Sequence, residues 1–140
     1  MPIDKLLVKQ RLAFICESLE ELKLLAQMPK EEFLKKRNAA AAESFLRRSL
    51  EAIFDIGRHI LAKQGQINMA LEYKGIARGL YEKGIVSRKL GEKLLQMAGY
   101  RNRLVHLYHQ ISEGELYEII NHNLEDIERF KEEIMQFIHR

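Results

Sequence analysis

Apolar residues recur at intervals of three and four along most of this sequence, the pattern of helices that each bury one face. No segment alternates between apolar and polar residues over the length of a β-strand. Proline, which breaks helices, occurs only twice in 140 residues. The sequence therefore predicts an all-α fold, an up-and-down bundle of four to five helices joined by short connections.

The ends of the first three helices carry recognisable signals. Pro29 ends the first helix and leaves a short helical or irregular link over residues 30–36. Gly65 and Gly84 are placed to end the next two helices in a left-handed conformation. The predicted helices cover residues 4–27, 37–64, 71–83, 87–109 and 113–138.

Two serines are placed to cap the last two helices. Ser87 precedes the fourth helix. Ser112 and Glu115 have the spacing of a capping box, so we expect one unbroken final helix from about residue 113 to 138.

Length and composition limit the class of protein. A chain of 140 residues fits a single domain, residues 1–140, with one core. Its composition, 46% hydrophobic and 31% charged, suits a soluble protein, and no uncharged run approaches the ~20 apolar residues of a membrane span. The first residues show no charged and then apolar leader, so we expect a cytoplasmic protein without a membrane partner. The single cysteine, Cys16, lies on an apolar helical stripe and is interpreted as a core residue.

The densest cluster of chemically useful side chains lies in residues 100–109, which read Tyr-Arg-Asn-Arg-Leu-Val-His-Leu-Tyr-His. We place it on the last turns of the fourth helix. At ~100° per residue, one stripe carries Arg101 and Tyr108, and the stripe beside it carries Asn102, His106 and His109. Because neither stripe encloses a ligand, we expect a symmetric dimer in which two copies of this helix face each other.

The pattern Arg-x-x-x-x-His-x-Tyr, with asparagine directly after the arginine, resembles the signature of the HEPN superfamily, most closely the HepT-like toxin ribonucleases. The order of features is similar as well: an amphipathic first helix, a long helix with Ala-Ile-Phe-Asp-Ile-Gly-Arg-His-Ile, then Leu-Tyr-Glu-Lys-Gly-Ile-Val-Ser, the motif, and Leu-Tyr-Glu-Ile-Ile. This resemblance covers nearly the whole chain and implies a HEPN-like helical domain. It also implies an endoribonuclease toxin, neutralised by a separately encoded minimal nucleotidyltransferase antitoxin that adenylylates the motif tyrosine, Tyr108.

The motif residues suit RNA cleavage without a metal or another cofactor. RNA supplies its own nucleophile, the 2′-hydroxyl, so an enzyme must deprotonate it and stabilise the charge that builds on phosphate. An imidazole can take the proton near neutral pH, and a planar guanidinium offers paired donors to phosphate oxygens. We therefore assign His106 as base or acid and Arg101 as the phosphate clamp. In a supporting role, Asn102 would bond the imidazole or a ribose hydroxyl, and Tyr108 would hold phosphate or stack on a base.

Asp55, in the longest helix, is a further supporting candidate. As a functional residue it would orient the active-site arginine or histidine. As a structural residue it would form a local pair with His59, four residues later.

Other interpretations of the cluster stay open. Arg101, Asn102 and His106 would also fit a satisfied polar seam between helices. The spacing of His106, His109 and Glu113 is compatible with binding of a metal ion, but no second motif completes such a site. We therefore predict no metal site. The net charge of +3 is too small to establish RNA binding. The alternative function is a non-catalytic helical module that binds a nucleotide or a nucleotidyltransferase partner through the same groove.

Overall fold

Polar side chains fix the starts of three helices. In this computed structural model, which describes residues 2–106 and 111–140, Asp4, Ser87 and Ser112 act as caps. Each side chain accepts a hydrogen bond from the backbone N–H three residues later, at 3.1 to 3.2 Å. These bonds satisfy N–H groups that have no partner within their own helix. The predicted helix starts are therefore confirmed.

The described residues form seven α-helices and one 3-10 turn, and none of them lies in a strand. In chain order they are α1 Lys5–Gln27, α2 Lys30–Phe33, α3 Lys36–Lys63, the 3-10 turn Ile67–Ala70, α4 Tyr73–Glu82, α5 Arg88–Val105, α6 Glu113–His122 and α7 Leu124–Ile138. The all-α prediction is confirmed. Gly65 and Gly84 end α3 and α4 with φ of 77° and 72°, as their positions predicted.

The helix count differs from four to five for two reasons. The link after Pro29 contains the short helix α2, and the predicted final helix is divided at Asn123 into α6 and α7. Asparagine is a poor helix former, and the Asn121 side-chain amide donates at 2.8 Å to the Tyr117 carbonyl oxygen of the last turns of α6. The apolar spacing continues across this break, so the sequence pattern did not predict that the helix is divided here.

The longest helix, α3, lies at the centre of the bundle. It packs against α1, α2, α4, α5 and α6, and it contributes the fully buried side chains of Phe54 and Ile60 to the core. Cys16 is only half-buried, with its sulfur 3.7 Å from Lys131 Nζ, so it lies at the edge of the core rather than inside it. Among the described residues, no helix is long and apolar enough to cross a membrane.

Candidate active site

The motif helix ends earlier than the sequence indicated. Helix α5 stops at Val105, and His106 follows as its cap with extended backbone angles, φ −97° and ψ 123°. The prediction that the helix continues to residue 109, with His106 on a helical stripe, is therefore wrong. His106 keeps one link to the helix, because its N–H donates to the Asn102 carbonyl oxygen at 3.2 Å.

An ion pair lies between the end of α5 and the start of α6. The Arg103 guanidinium binds both carboxylate oxygens of Glu115 and so joins the last turn of α5 to the first turn of α6. This hydrogen bonding raises the pKa of Arg103 and lowers the pKa of Glu115. Because the Glu115 side chain binds Arg103, only one bond of the predicted capping box forms, in which the Ser112 side chain accepts from the Glu115 N–H.

Arg101 is held by residues from three helices. Its Nε donates to Glu51 Oε1 of α3 at 3.2 Å, and its Nη1 donates to Asn102 Oδ1 at 3.4 Å. The carbon at the centre of its guanidinium lies 3.9 Å from the ring centroid of Tyr73, the first residue of α4. The Arg101 side chain is only 19% exposed. This is a cation in a defined geometry, with ion-pair and cation–π contacts.

Tyr73 is itself fixed by its surroundings. Its phenol donates to Glu51 Oε2 at 3.4 Å, and its ring meets the buried ring of Phe54 edge-on, with centroids 5.1 Å apart. Arg58 also lies over the Tyr73 ring, at 5.5 Å. Two guanidinium groups, Arg58 and Arg101, therefore contact one aromatic ring.

The carboxylate that contacts Arg101 is Glu51 and not Asp55. Asp55 pairs instead with Arg58 of its own helix at 3.2 Å and with Arg11 of α1 at 3.9 Å. It forms no ion pair with His59 either, within the described ranges, because the His59 ring is bonded to the backbone N–H of Asp4. Asp55 lies one turn beyond Glu51 on α3, so its carboxylate is directed to the next arginine along the helix.

The remaining predicted residues have different surroundings. His106 is exposed at the end of α5. The Asn102 side-chain oxygen, Oδ1, accepts a hydrogen bond from Arg101, and in residues 2–106 and 111–140 no side-chain bond joins Asn102 to the His106 ring. Tyr108 and His109 lie outside the described residues, and so does the His106–His109 part of the metal interpretation. No group of three metal-binding side chains occurs in the part of the chain that the structure describes.

Sequence reasoning missed Glu51 and Tyr73. Glu51 precedes Asp55 by four residues and so shares its helical stripe, a signal that was available. Tyr73 gave no comparable signal, because its contact with Arg101 depends on how α4 packs against α5.

Comparison with known proteins gives a consistent picture. The family model described as "Ribonuclease HepT-like" matches residues 15–134. The chain is 31% identical over 85 residues to the mRNA nuclease HepT of Shewanella oneidensis, an alignment that spans 61% of this chain and 63% of that protein, just under two thirds of it. It is 25% identical over 138 residues to the tRNA nuclease HepT of Aphanizomenon flos-aquae, spanning 97% of this chain and 92% of the relative.

A solved structure shares the fold. It is the tri-AMPylated HEPN toxin of Shewanella oneidensis in complex with MNT antitoxin, with a TM-score of 0.81, 22% identity, and coverage of 93% of this chain and 97% of that chain. At this identity the likeness shows the fold alone, and it confirms the HEPN-like helical architecture. Because the family model covers most of the sequence, the family resemblance is also confirmed: the chain belongs to the Ribonuclease HepT-like family.

Proposed function

We propose that this protein is a metal-independent endoribonuclease toxin that cleaves RNA through the substrate's own 2′-hydroxyl. The observation that carries the proposal is the oriented guanidinium of Arg101, which keeps unbonded N–H groups and lies five residues before the exposed imidazole of His106. The same pair lies in a chain of the Ribonuclease HepT-like family, two of whose relatives are an mRNA nuclease and a tRNA nuclease.

The reaction needs one proton acceptor and one stabiliser of negative charge. His106 takes the proton of the 2′-hydroxyl, and the 2′-oxygen attacks the adjacent phosphorus. The bond from phosphorus to the 5′-oxygen breaks, and that oxygen takes up a proton. The products are a 2′,3′-cyclic phosphate and a 5′-hydroxyl. Arg101 stabilises the charge that builds on the phosphate oxygens during the attack.

Supporting residues extend the site. The side-chain oxygen of Asn102 accepts a hydrogen bond from Arg101, so the NH₂ group of Asn102 is the part that donates to a ribose hydroxyl. Asp55 acts through Arg58, with which it pairs and which lies over the same Tyr73 ring as Arg101. In this proposal Tyr108, which follows His106 by two residues in the sequence, holds phosphate or stacks on a base.

A homodimer completes the site in this proposal. Gly99 lies in mid-helix on α5, three residues before Asn102, so these two share one face, and His106 follows at the end of the same helix. A Cβ atom at Gly99 would meet no described atom within 4 Å, unlike the packed glycines of the bundle. A glycine costs helix stability, so one without a packing reason in its own chain is expected where another body approaches closely. A second α5 fits there and would bring a second Arg101 and His106 to the groove.

The proposed partner is a cognate minimal nucleotidyltransferase antitoxin, and the proposed compartment is the cytoplasm. A structural relative is an AMPylated toxin in complex with MNT antitoxin. Attachment of a nucleotide to Tyr108 would add bulk and negative phosphate near Arg101, and both would oppose RNA entry.

The decisive experiment incubates the purified protein with RNA in the presence of a chelator. We expect cleavage that leaves 2′,3′-cyclic phosphate ends, and we expect His106→Ala and Arg101→Ala each to lower the rate about 100-fold or more with the fold intact. DNA of the same sequence lacks the 2′-hydroxyl and should resist. Equal cleavage of DNA, or cleavage only after a divalent metal is added, would contradict the mechanism.

The Arg101–Glu51 ion pair also favours a second candidate function. A cation that is already neutralised by a carboxylate is compatible with a polar seam in a non-catalytic module that binds a nucleotide or a nucleotidyltransferase. That alternative predicts binding of the cognate nucleotidyltransferase without any RNA cleavage, and Arg101→Ala would then lower stability but change no activity.

A further inference from the structure

The Arg101 side chain carries a charge that needs a counterion before any substrate arrives. It is mostly removed from water, and the Glu51 carboxylate, 33% exposed, is its ion-pair partner at 3.2 Å. A carboxylate so close to a phosphate clamp also repels the phosphate. Glu51 therefore opposes substrate binding by its charge, and any benefit to the reaction must come from the orientation that it imposes on the guanidinium.

The free donors of Arg101 show what that orientation achieves. A guanidinium has five N–H donors in a rigid fork. Glu51 takes the Nε donor and the Asn102 side chain takes one donor of Nη1. The others belong to the two terminal nitrogens and have no partner within the described part of the chain. Parallel N–H bonds from two terminal nitrogens match two oxygens of one phosphate.

Tyr73 holds the guanidinium from another direction. Its ring lies 3.9 Å from the guanidinium carbon, and its phenol donates to the second oxygen of the same Glu51 carboxylate. The ring is anchored by its edge-on contact with Phe54, which is fully buried in the core. The contacts of Arg101 with Glu51 and Tyr73 are therefore held in place by packing within α3 and α4.

We infer that Glu51 and Tyr73 are positioning residues that fix the Arg101 guanidinium, so that its two terminal nitrogens face the phosphate. This inference rests on the proposed ribonuclease function. Neither residue touches the substrate, and both act through Arg101. A purely structural role, in which the ion pair only ties α3 to α5, makes different predictions.

The test combines kinetics with a direct observation of Arg101. Glu51→Ala should lower kcat about 10- to 100-fold, because the guanidinium is misplaced, while KM stays the same or falls, because a repelling charge is removed. Glu51→Gln keeps an oxygen acceptor for Nε and should retain most of kcat. Tyr73→Phe keeps the ring and should lose little, whereas Tyr73→Leu removes the ring and should lose kcat as Glu51→Ala does.

Nuclear magnetic resonance of the Arg101 Nε–H group supplies the second measurement. The signal is identified by its absence in Arg101→Lys. We expect a sharp, slowly exchanging Nε–H in the wild type and in Glu51→Gln, and a broadened or lost signal in Glu51→Ala and Tyr73→Leu. The matched controls are Glu43→Ala, which removes an ion pair of α3 with Arg47, and Tyr117→Phe, which removes a phenol bond to the Met28 carbonyl oxygen. Both controls should leave kcat and the Arg101 signal unchanged.

The outcomes separate this inference from the proposed function. If Glu51→Ala keeps wild-type kcat and the wild-type Nε–H signal, the inference is overturned. It is also overturned if the losses in kcat follow the losses in melting temperature across all variants, since the pair is then structural. If the wild type does not cleave RNA at all, the proposed function fails, and the resonance alone decides whether Glu51 and Tyr73 fix Arg101.

Discussion

The side chain of His59 joins α3 to the start of α1. Its Nε2 accepts a hydrogen bond from the Asp4 N–H at 3.0 Å, which requires a neutral ring with its proton on Nδ1. Burial, and after it the positive charge of Lys63, lower the pKa of His59 below 6.5, against the opposing effect of the Asp4 carboxylate. The folded chain therefore binds a proton at His59 less readily than the unfolded chain does.

This proton balance predicts a pH dependence of stability. Because the folded-state pKa of His59 is lowered, the free energy of unfolding should fall as the pH drops through the ordinary histidine value of 6.5. His59→Gln removes the titrating group and should flatten the curve of stability against pH in this range. Urea denaturation from about pH 7.5 to 5.5 measures it, with His139→Gln, an exposed histidine after α7, as the control. Parallel curves for wild type and His59→Gln would show that this bond does not set the pH response.

Single residues of the site could be predicted where a spacing along one helix identifies them. Arg101, Asn102 and His106 belong to one motif. The contacts of Arg101 with Glu51 and Tyr73 join residues 50 and 28 positions apart, and no periodicity along the sequence encodes them. Asp55 was chosen for its place within an apolar helix, but its neighbour one turn earlier is the carboxylate within reach of Arg101.

The proposed dimer can be tested by a substitution on helix α5. Gly99→Leu adds a side chain where no described atom of the same chain lies within 4 Å, so the monomer should fold, and helix propensity should favour leucine by about 0.5–1 kcal/mol. If α5 faces a second α5, the same side chain prevents close approach. We expect light scattering to show a dimer for the wild type and a monomer for Gly99→Leu, with RNA cleavage lost together with the dimer.

The control places a leucine on a different helix. Glu20→Leu adds an apolar side chain to the exposed face of α1 and should leave both mass and cleavage unchanged. A dimer that survives Gly99→Leu would place the interface elsewhere on the chain.

Helix ends were predictable where local chemistry sets them. The caps at Asp4, Ser87 and Ser112 and the left-handed Gly65 and Gly84 have the conformations that their residue types favour. The ends at Val105 and at Asn123 carry no proline or glycine. They accompany interactions between side chains and neighbouring turns, the Arg103–Glu115 ion pair and the Asn121 amide bond, which the apolar pattern does not record.

At the scale of the whole molecule, apolar spacing was sufficient to give the fold class. Each long helix has a continuous buried face, and only a bundle buries all of these faces at once. Which helices pack beside one another was harder to predict from the sequence. That α3 lies at the centre, in contact with five other α-helices, depends on the combined packing of all of them.

The last prediction concerns the whole toxin with its proposed antitoxin. Tyr108 lies two residues after His106, outside the described residues, in the segment that joins α5 to α6. An adenylyl group on its phenol would compete for the free donors of Arg101 and would repel the RNA backbone. We expect co-expression with the cognate nucleotidyltransferase to add one or more adenylyl groups, detected by intact-mass spectrometry and located at Tyr108 by peptide mapping. Tyr108→Phe should abolish both modification and neutralisation, whereas Tyr100→Phe, at the other end of the motif, should abolish neither. If the wild type is fully neutralised but unmodified, the antitoxin acts by covering the site, and the adenylylation prediction is wrong.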